Sequence, residues 1–339
     1  MAVTLKDIAA ATGLSMPTVS QILNHRSGNY CSEAKCELVF KVARELGYRQ
    51  RFADKIQRGD VTHTAAIICP LQRSNNVTTA LTMKLLDRFE QMGFSCYVTS
   101  VDQSFESCYR KVGSMLERGT ERLILLGVLR TTDPDAAVQA EKISRLITSH
   151  HRTYVGYGRP LLRDVSQDFA PAVRATVKYF LEAGADNFKM ITPLWTTSPR
   201  IQGLIASFPE LSPDEVISKY VSPLNMKENY GQNEDTIMQH GYLRTAELLK
   251  QFPDTRGIYY SSDELLLGGL RYLQEQHIVP GKDILLAGFN NIPAVRNSGL
   301  PISSAAHDID LLCDTLIAES GKTEPVQIMI PPKIFIRKP

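Results

Sequence analysis

The stretch VTLKDIAAATGLSMPTVSQILN, residues 3–24, determines how the amino-terminal part of this chain is interpreted. Ile8 and Ala9 lie on one apolar helix face that Gly13 ends, and Ser15 is suited to cap a second helix. Alanine at position 9 lets two helices cross closely, and glycine at position 13 permits the positive φ of a tight turn. This spacing predicts a DNA-binding helix-turn-helix, whose second helix faces the major groove.

The second helix carries the side chains expected to reach DNA. A third helix, residues 32–46, is predicted to end at Gly47 and to complete a three-helix head. Gln21 is expected to read a base, because glutamine pairs well with adenine in the major groove. The predicted DNA-binding residues of the head are Thr4, Ser15, Met16, Pro17, Thr18, Ser20, Gln21 and Asn24.

The composition excludes several classes of protein. The 339 residues have a net charge of only +2, yet residues 1–60 contain nine basic against six acidic residues, an excess suited to phosphates. The six cysteines form no C-x-x-C pair, which argues against a disulfide scaffold or structural zinc and favours a reducing cytoplasm. The apolar runs are far shorter than the ~20 residues that span a bilayer, so no membrane partner is expected.

From residue 65 onward, apolar strands alternate with amphipathic helices. ERLILLGV (121–128) and DILLAGF (283–289) are nearly continuous apolar runs; a helix is predicted at 170–183 and a strand near 216–221. Such strands, each followed by a helix, predict parallel sheets covered on both faces, and about eleven strands exceed one open sheet. The predicted fold class is α/β: a helix-turn-helix head, a hinge and a core of two subdomains with parallel sheets.

Motifs of common enzyme classes are incomplete in this sequence. GKT at 321–323 resembles the end of a phosphate-binding loop, but Leu316 stands at the required earlier glycine. GYG at 156–158 begins a dinucleotide fingerprint whose third glycine is replaced by Leu161. Neither G-x-S-x-G nor H-E-x-x-H occurs. We therefore expect no catalytic residue, no cofactor and no metal site, and we do not expect an enzyme.

Over essentially its whole length the chain resembles the lactose/galactose repressor (LacI/GalR) family of bacterial regulators. The opening stretch and ELGY at 45–48 are similar to the family's helix-turn-helix and the end of its third helix. SPRIQG at 198–203, GIYYSSDELLLGGL at 257–270 and VPGKDILLAGFN at 279–290 resemble three further family segments. The resemblance implies a core like that of periplasmic sugar-binding proteins behind a DNA-binding head, acting as a dimer.

The resemblance also implies domain boundaries. The expected domains are a helix-turn-helix domain at 1–47, a hinge at 48–64 and an effector-binding and dimerisation core at 65–339. Within the core, the N-subdomain is expected at about 65–182 and 306–324, and the C-subdomain at about 183–305 and 325–339. The hinge is expected to fold as a short helix on DNA and to insert Ile56 between base pairs as an apolar wedge.

An effector is expected between the two subdomains, at the carboxyl ends of strands, where open parallel sheets form crevices. Arg200 offers five donors for a carboxylate, a phosphate or sugar hydroxyls, and His307 is expected to gain charge below about pH 6.5. Asn290 stands where the family has aspartate, which favours a modified or acidic sugar over a plain hexose. The predicted effector-binding residues are Asp168, Trp195, Arg200, Ser262, Asp263, Asn290 and His307.

Functions of three classes fit this sequence. The leading one is an effector-responsive transcriptional regulator, expected to repress a catabolic operon from a pseudo-palindromic double-stranded operator as a cytoplasmic homodimer. The alternatives are a solute-binding protein and an α/β enzyme that carries a DNA-binding head.

Two departures from the family pattern are expected to affect operator choice and phosphate contacts. Gln21 replaces the usual arginine, and Lys35-Cys36 replaces Thr-Arg.

Overall fold

The computed structural model describes residues 3–23, 31–48, 62–71, 76–129, 134–158, 161–193, 198–224 and 234–339. The chain divides into two compact units, Met1–Thr62 and His63–Pro339. The predicted fold class is confirmed, since three helices precede an α/β unit with two largely parallel sheets. No helix within these ranges is long and apolar enough to cross a membrane.

The first unit consists of three helices around one small core. The helices are α1 (Leu5–Thr12), α2 (Met16–Leu23) and α3 (Glu33–Glu45). Gly13 ends α1 with a φ of 67°, the left-handed conformation that glycine adopts without steric cost. The side chains that all three helices bury together are Ile8, Val19, Ile22, Val39 and Ala43.

The second unit contains twelve strands and ten helices among the described residues. Its first part comprises β1 (Thr64–Cys69), α4 (Asn76–Gln91), β2 (Ser95–Ser100), α5 (Phe105–Glu117), β3 (Arg122–Leu126), α6 (Ala136–Ser149), β4 (Thr153–Tyr157) and β5 (Arg163–Gln167). The next part comprises α7 (Ala170–Glu182), β6 (Phe188–Pro193), α8 (Pro199–Ile205), α9 (Pro213–Tyr220), β7 (Val221–Leu224), α10 (Glu234–Gln251), β8 (Gly257–Tyr260), α11 (Asp263–Glu275), β9 (Leu285–Phe289), α12 (Pro293–Arg296) and β10 (Ile302–Ala306). The last elements are α13 (Ile309–Ser320), β11 (Val326–Ile330) and β12 (Lys333–Phe335).

These strands form two six-stranded sheets, which define two lobes. The first lobe has the order β11-β5-β4-β3-β1-β2 and the second β12-β10-β9-β8-β6-β7. Every pairing is parallel except that of β12 with β10. Both faces of the first sheet are buried, because Ile68 and Leu123 lie in one apolar cluster and Ile67 and Ile124 in another. This two-sided burial explains why the strands are continuous apolar runs.

The chain passes between the lobes three times, which corrects two predicted boundaries. β11, expected in the C-subdomain, pairs with β5 in the first lobe. α7, expected in the N-subdomain, packs through Val173, Val177 and Phe180 against Phe188 and Met190 of the second lobe. Amphipathic periodicity identifies the buried face of a helix but not the sheet that buries it, so local sequence patterns could not have decided these two assignments.

The strand predicted near 216–221 is wrong. Residues up to Tyr220 belong to helix α9, and the strand begins at Val221. Ser212 starts the helix through a capping box with Glu215, whose N–H donates to the Ser212 hydroxyl oxygen at 3.3 Å. The S-P-D-E sequence at 212–215 is a helix-start signal that outweighs the apolar residues after it.

Candidate functional site

Helix α2 of the head exposes its amino-terminal end. Pro17 and Gln21 are exposed, and Met16 has 51% of its surface accessible, which is unusual for a large apolar side chain. Val19 and Ile22 are buried, and they fix the rotation of the helix so that the other three side chains face outward. The exposed face therefore combines apolar and amide groups, the types that contact base edges.

Two of the predicted DNA-binding residues form helix caps. The N–H and the hydroxyl of Thr4 both donate to Asp7 Oδ2 at 2.7 Å. The Ser15 hydroxyl oxygen accepts from the N–H of Thr18 at 3.2 Å. These caps satisfy backbone donors that a helix start leaves open, and so they define where α1 and α2 begin.

The remaining predicted residues of the head differ in accessibility. Thr18 and Ser20 are half-buried. The described part of the head also exposes four cationic side chains, those of Lys6, Lys35, Lys41 and Arg44. Asn24 and Ile56, together with Trp195 of the predicted effector site, lie outside the described residues.

Five side chains meet where the second unit's chain passes between its lobes; we call Tyr157, Phe169, Arg200, Phe289 and His307 the cleft cluster. Tyr157 and Phe289 end strands β4 and β9, one in each sheet. Phe169 follows β5 and His307 follows β10, at two of the crossings. Residues from both lobes and from the connections between them therefore form one site.

Arg200 is the charged member of the cleft cluster. Its guanidinium carbon lies 3.8 Å from the ring centroid of Phe169 and 5.2 Å from that of Phe289. Cation–π attraction of this kind is strengthened when the cation is shielded from water. The two phenylalanine rings are 5.0 Å apart, so Arg200 is held against a continuous aromatic surface.

His307 is a neutral member of the cleft cluster. Its Nδ1 lies 3.1 Å from the hydroxyl of Tyr157, within hydrogen-bond distance, and its ring lies 5.2 Å from that of Phe289. Burial, together with the nearby charge of Arg200, lowers the pKa of His307 to about 3. The expectation that this imidazole gains charge below pH 6.5 is therefore wrong, because transfer from water disfavours the charged form.

Asp263 shapes the edge of the second sheet and is fully buried. Its Oδ2 accepts from the N–H of Ile292 at 2.9 Å, and its Oδ1 accepts from the hydroxyl of Ser304 at 2.9 Å. The carboxylate thus ties the start of α11 to the segment after β9 and to β10. Because neither oxygen is accessible, we count Asp263 among the residues that hold the strand ends together.

Stability is expected to depend on pH through Asp263. Burial raises the pKa of this carboxyl to about 6, above its ordinary value of 3.8. The protonated form therefore stabilises the fold, fully below pH 3.8 and progressively less as the pH rises through 6. Relative to wild type, Asp263→Asn should gain up to about 3 kcal/mol in free energy of unfolding between pH 4 and pH 8. Urea unfolding of both proteins across this range measures the change; a constant difference would contradict it.

The other predicted effector-binding residues make local contacts at strand ends. Ser262 caps α11 by accepting from the N–H of Leu265 at 3.3 Å, and it is half-buried. The backbone N–H of Asn290 donates to the carbonyl of Ala305 at 2.7 Å. The side-chain amide of Asn290 donates to Glu264 Oε2 at 3.2 Å. Ser262 and Asn290 thus lie at the carboxyl ends of neighbouring strands β8 and β9.

Asp168 lies at the crossing from the first lobe to the second. Its backbone N–H donates to the carbonyl of Ile330 at 2.8 Å. Its Oδ1 accepts from the N–H of Ala170, the first residue of α7, at 3.0 Å. The side chain is half-buried, and it joins two of the three passages between the lobes.

Sequence reasoning missed four residues of this region. Tyr157 and Phe289 end strands, and ligands bind at the carboxyl ends of parallel strands, so the same argument that selected Asn290 would have selected them. Phe169 directly follows Asp168, but nothing in the sequence indicates that it packs under Arg200. Glu264 gave no signal, because a charged residue in the first turn of a helix is ordinary.

The cleft cluster is suited to reversible binding. It offers one cation, one neutral imidazole and aromatic faces, which together match a ring with polar edges and an apolar face. In the described part of the chain, no group of three or more His, Cys, Asp or Glu side chains is arranged to hold a metal ion.

Comparison with known proteins yields family and fold. Residues 4–50 match the family described as bacterial regulatory proteins, lacI family, and residues 177–337 match the periplasmic binding protein-like domain. The HTH-type transcriptional regulator TreR of Escherichia coli (strain K12) is 23% identical and covers 97% of each chain. The lactose operon repressor of the same organism is 23% identical over 93% of this chain and 83% of its own.

Solved structures share the fold across both units. The lac repressor dimer bound to operator and the anti-inducer ONPF has a TM-score of 0.75 at 18% identity, over 100% of this chain and 99% of that one. The transcriptional regulator CelR in complex with cellobiose has a TM-score of 0.64 at 19% identity, over 99% of both chains. Residues 4–50 thus match the lacI family of bacterial regulatory proteins, and over nearly its whole length the chain is similar to regulators that carry such a head.

Proposed function

We propose that this protein is an effector-responsive transcriptional repressor. It binds a pseudo-palindromic double-stranded operator as a homodimer, through α2 of the head, in the bacterial cytoplasm. It senses a sugar or sugar derivative between the lobes of its second unit, and it controls a catabolic operon. Closure of the lobes around the ligand changes operator affinity, a coupling between two sites that typically amounts to 1–3 kcal/mol.

The observation that carries this proposal is the outward face of α2. A helix-turn-helix held by Val19 and Ile22, with Met16 and Gln21 exposed at its amino-terminal end, has the geometry of a major-groove reader. The family match begins at residue 4, which is where α1 is capped. Neither a solute-binding protein nor an enzyme requires such a face.

The similar proteins support the choice of partners. One neighbour is a repressor dimer bound to operator DNA, and others are bound to cellobiose or to ribose. The cleft cluster of this chain lies between the lobes and combines aromatic faces with polar groups, as a sugar site requires. We therefore infer that operator DNA, a second copy of the chain and a small sugar-like molecule are its partners.

Selection of DNA fragments from a random double-stranded pool tests the proposed function. We expect the purified full-length protein to enrich one pseudo-palindromic sequence and to bind it in a gel-shift assay. A protein without sequence preference, or one that chemically converts the compound that it binds, would support the alternative classes instead.

Replacing Gln21 is expected to change base preference. Gln21→Arg should shift selection from adenine toward guanine at one symmetric position, because arginine pairs with O6 and N7 of guanine, at about 1–3 kcal/mol of discrimination. Operator selection with both proteins measures the shift. Ala10→Ser on α1, another exposed position of the head, is the control that should leave the selected sequence unchanged. Identical pools for wild type and Gln21→Arg would remove Gln21 from base readout.

Replacing Arg200 is expected to weaken effector binding without weakening operator binding. Arg200→Ala removes the cation that lies against Phe169 in the cleft cluster, so effector affinity should fall at least tenfold. The head is a separate compact unit, so operator affinity without effector should remain. Operator release titrated with effector is the measurement. Release at the wild-type effector concentration would place the effector elsewhere.

A further inference from the structure

Resting on the effector site proposed above, we propose that Glu264 selects the effector. Its carboxylate would accept hydrogen bonds from the hydroxyl groups of a neutral polyhydroxylated ligand and would disfavour an acidic sugar. The replacement of the family's aspartate by Asn290 then removes no acceptor from the site. Glu264 provides that acceptor from the neighbouring strand end.

Glu264 lies at the edge of the second sheet where parallel strands end, which is where open α/β sheets place their ligands. It belongs to the first turn of α11, which begins at the carboxyl end of β8, and its contact Asn290 follows the carboxyl end of β9. The amide nitrogen of Asn290 lies 3.2 Å from Oε2 and 3.5 Å from Oε1 of Glu264. The amide therefore bridges both oxygens and fixes the plane of the carboxylate at this edge.

The carboxylate of Glu264 is an acceptor with remaining capacity. An ionised carboxylate has about four lone-pair positions, and the Asn290 amide supplies one donor group. No Lys, Arg or His nitrogen of the described residues lies within 4 Å of its oxygens as an ion pair. The side chain retains only 7% of its accessible surface. A buried charge in this position is stabilised by further donors, and ligand hydroxyl groups supply them.

The backbone around Glu264 suits an acceptor group and not an acidic ligand. Glu264 lies in the first turn of a helix of thirteen residues, where the helix dipole favours an anion. A ligand carboxylate placed against it would bring two like charges together in a partly dehydrated site, which is unfavourable. Asn290 donates through its nitrogen to Glu264, so that donor is already in use and is not available to an acidic ligand.

A panel of matched sugars tests this inference on the wild-type protein. The neutral probes are D-glucose, D-galactose, D-ribose, sucrose, trehalose and cellobiose; the acidic probes are D-glucuronate, D-galacturonate and D-gluconate. We expect at least one neutral probe to raise the melting temperature and no acidic probe to do so, since a bound ligand stabilises the folded state. Stabilisation by acidic probes alone, or by none of the panel, would overturn the ligand class.

The variant Glu264→Gln tests the residue. It keeps the shape of the side chain and an oxygen that can accept from Asn290, but removes the charge. Affinity for the best neutral probe should fall about ten- to hundredfold, the effect of losing a hydrogen bond to a charged group. The same variant should gain affinity for the acidic counterpart of that probe. Unchanged affinity for both probes would overturn the assignment of Glu264.

Two controls separate this inference from the proposed function. Glu275→Gln lies on the exposed far end of the same helix and should bind every probe as wild type does. Operator binding without sugar, measured by gel shift for all three proteins, reports on the head alone. If the proteins bind the operator but do not prefer neutral over acidic sugars, only the role of Glu264 is overturned. If they prefer neutral sugars but bind no operator, only the proposed function as a DNA-binding repressor is overturned.

Discussion

Gly268→Ala is expected to destabilise the second lobe by about 3 kcal/mol, at the upper end of the cost of overpacking a core. Helices α10 and α11 cross at backbone contact distance. A Cβ at Gly268 would overlap the carbonyl oxygen of Met238, and a Cβ at Gly241 would overlap that of Leu265. Because the obstacle in each case is a helix backbone and not a side-chain end, neither helix can accommodate the methyl group without moving away.

The matched control is Gly113→Ala in the middle of α5. No atom lies within 4 Å of a Cβ added there, so the methyl group meets no obstacle. Since alanine is the better helix former, this variant should be more stable than wild type by about 0.5–1 kcal/mol. Urea unfolding of both variants measures the two changes. Shifts of the same sign would show that helix propensity, and not the crossing, controls position 268.

Removing one partner of the buried ion pair between Arg163 and Glu319 is expected to cost about 3–5 kcal/mol. The nitrogen Nη2 of Arg163 lies 3.0 Å from Glu319 Oε2, and the two side chains retain 4% and 11% of their accessible surface. The same arginine donates through Nε to the carbonyl of Tyr154 at 2.9 Å. Glu319→Leu leaves the guanidinium buried without its counter-charge, and this is the source of the loss.

The double variant Arg163→Met, Glu319→Leu separates the charge from the packing. With both ions replaced by apolar groups of similar size, stability should return to within about 1 kcal/mol of wild type or exceed it. Unfolding of wild type, both single variants and the double variant gives the coupling energy. Strictly additive losses would show that the pair does not interact across β5 and α13.

The head was predictable because its signals are local. Gly13, Ser15 and Val19 each act within one or two turns, as a helix end, a cap and a core contact, and the structure places all three as their chemistry requires. Strands such as β3 were equally clear, since a continuous apolar run fits a sheet covered on both faces. The α/β class followed from the alternation of such strands with helices.

The sheet to which each strand belongs and the composition of the candidate site depend on contacts between distant parts of the chain. Whether β11 joins the first or the second sheet is decided by its pairing with β5, which no local pattern encodes. Asp263 follows a strand end, as a ligand-binding residue would, but its carboxylate is occupied by Ile292 and Ser304. Glu264 was missed for the converse reason, since its contact with Asn290 brings together two strand ends.

The pairing of β5 with β11 determines the order in which the sheets are completed during synthesis. Arg163 pairs with Val326, so β5 leaves the ribosome long before the strand that covers its edge. The elements from α7 to β10 form almost the whole second sheet and are translated in this interval. An open strand edge is a template for pairing with other chains, so the nascent first lobe is the aggregation-prone part. The sheet that is started first is closed by one of the last strands to be translated.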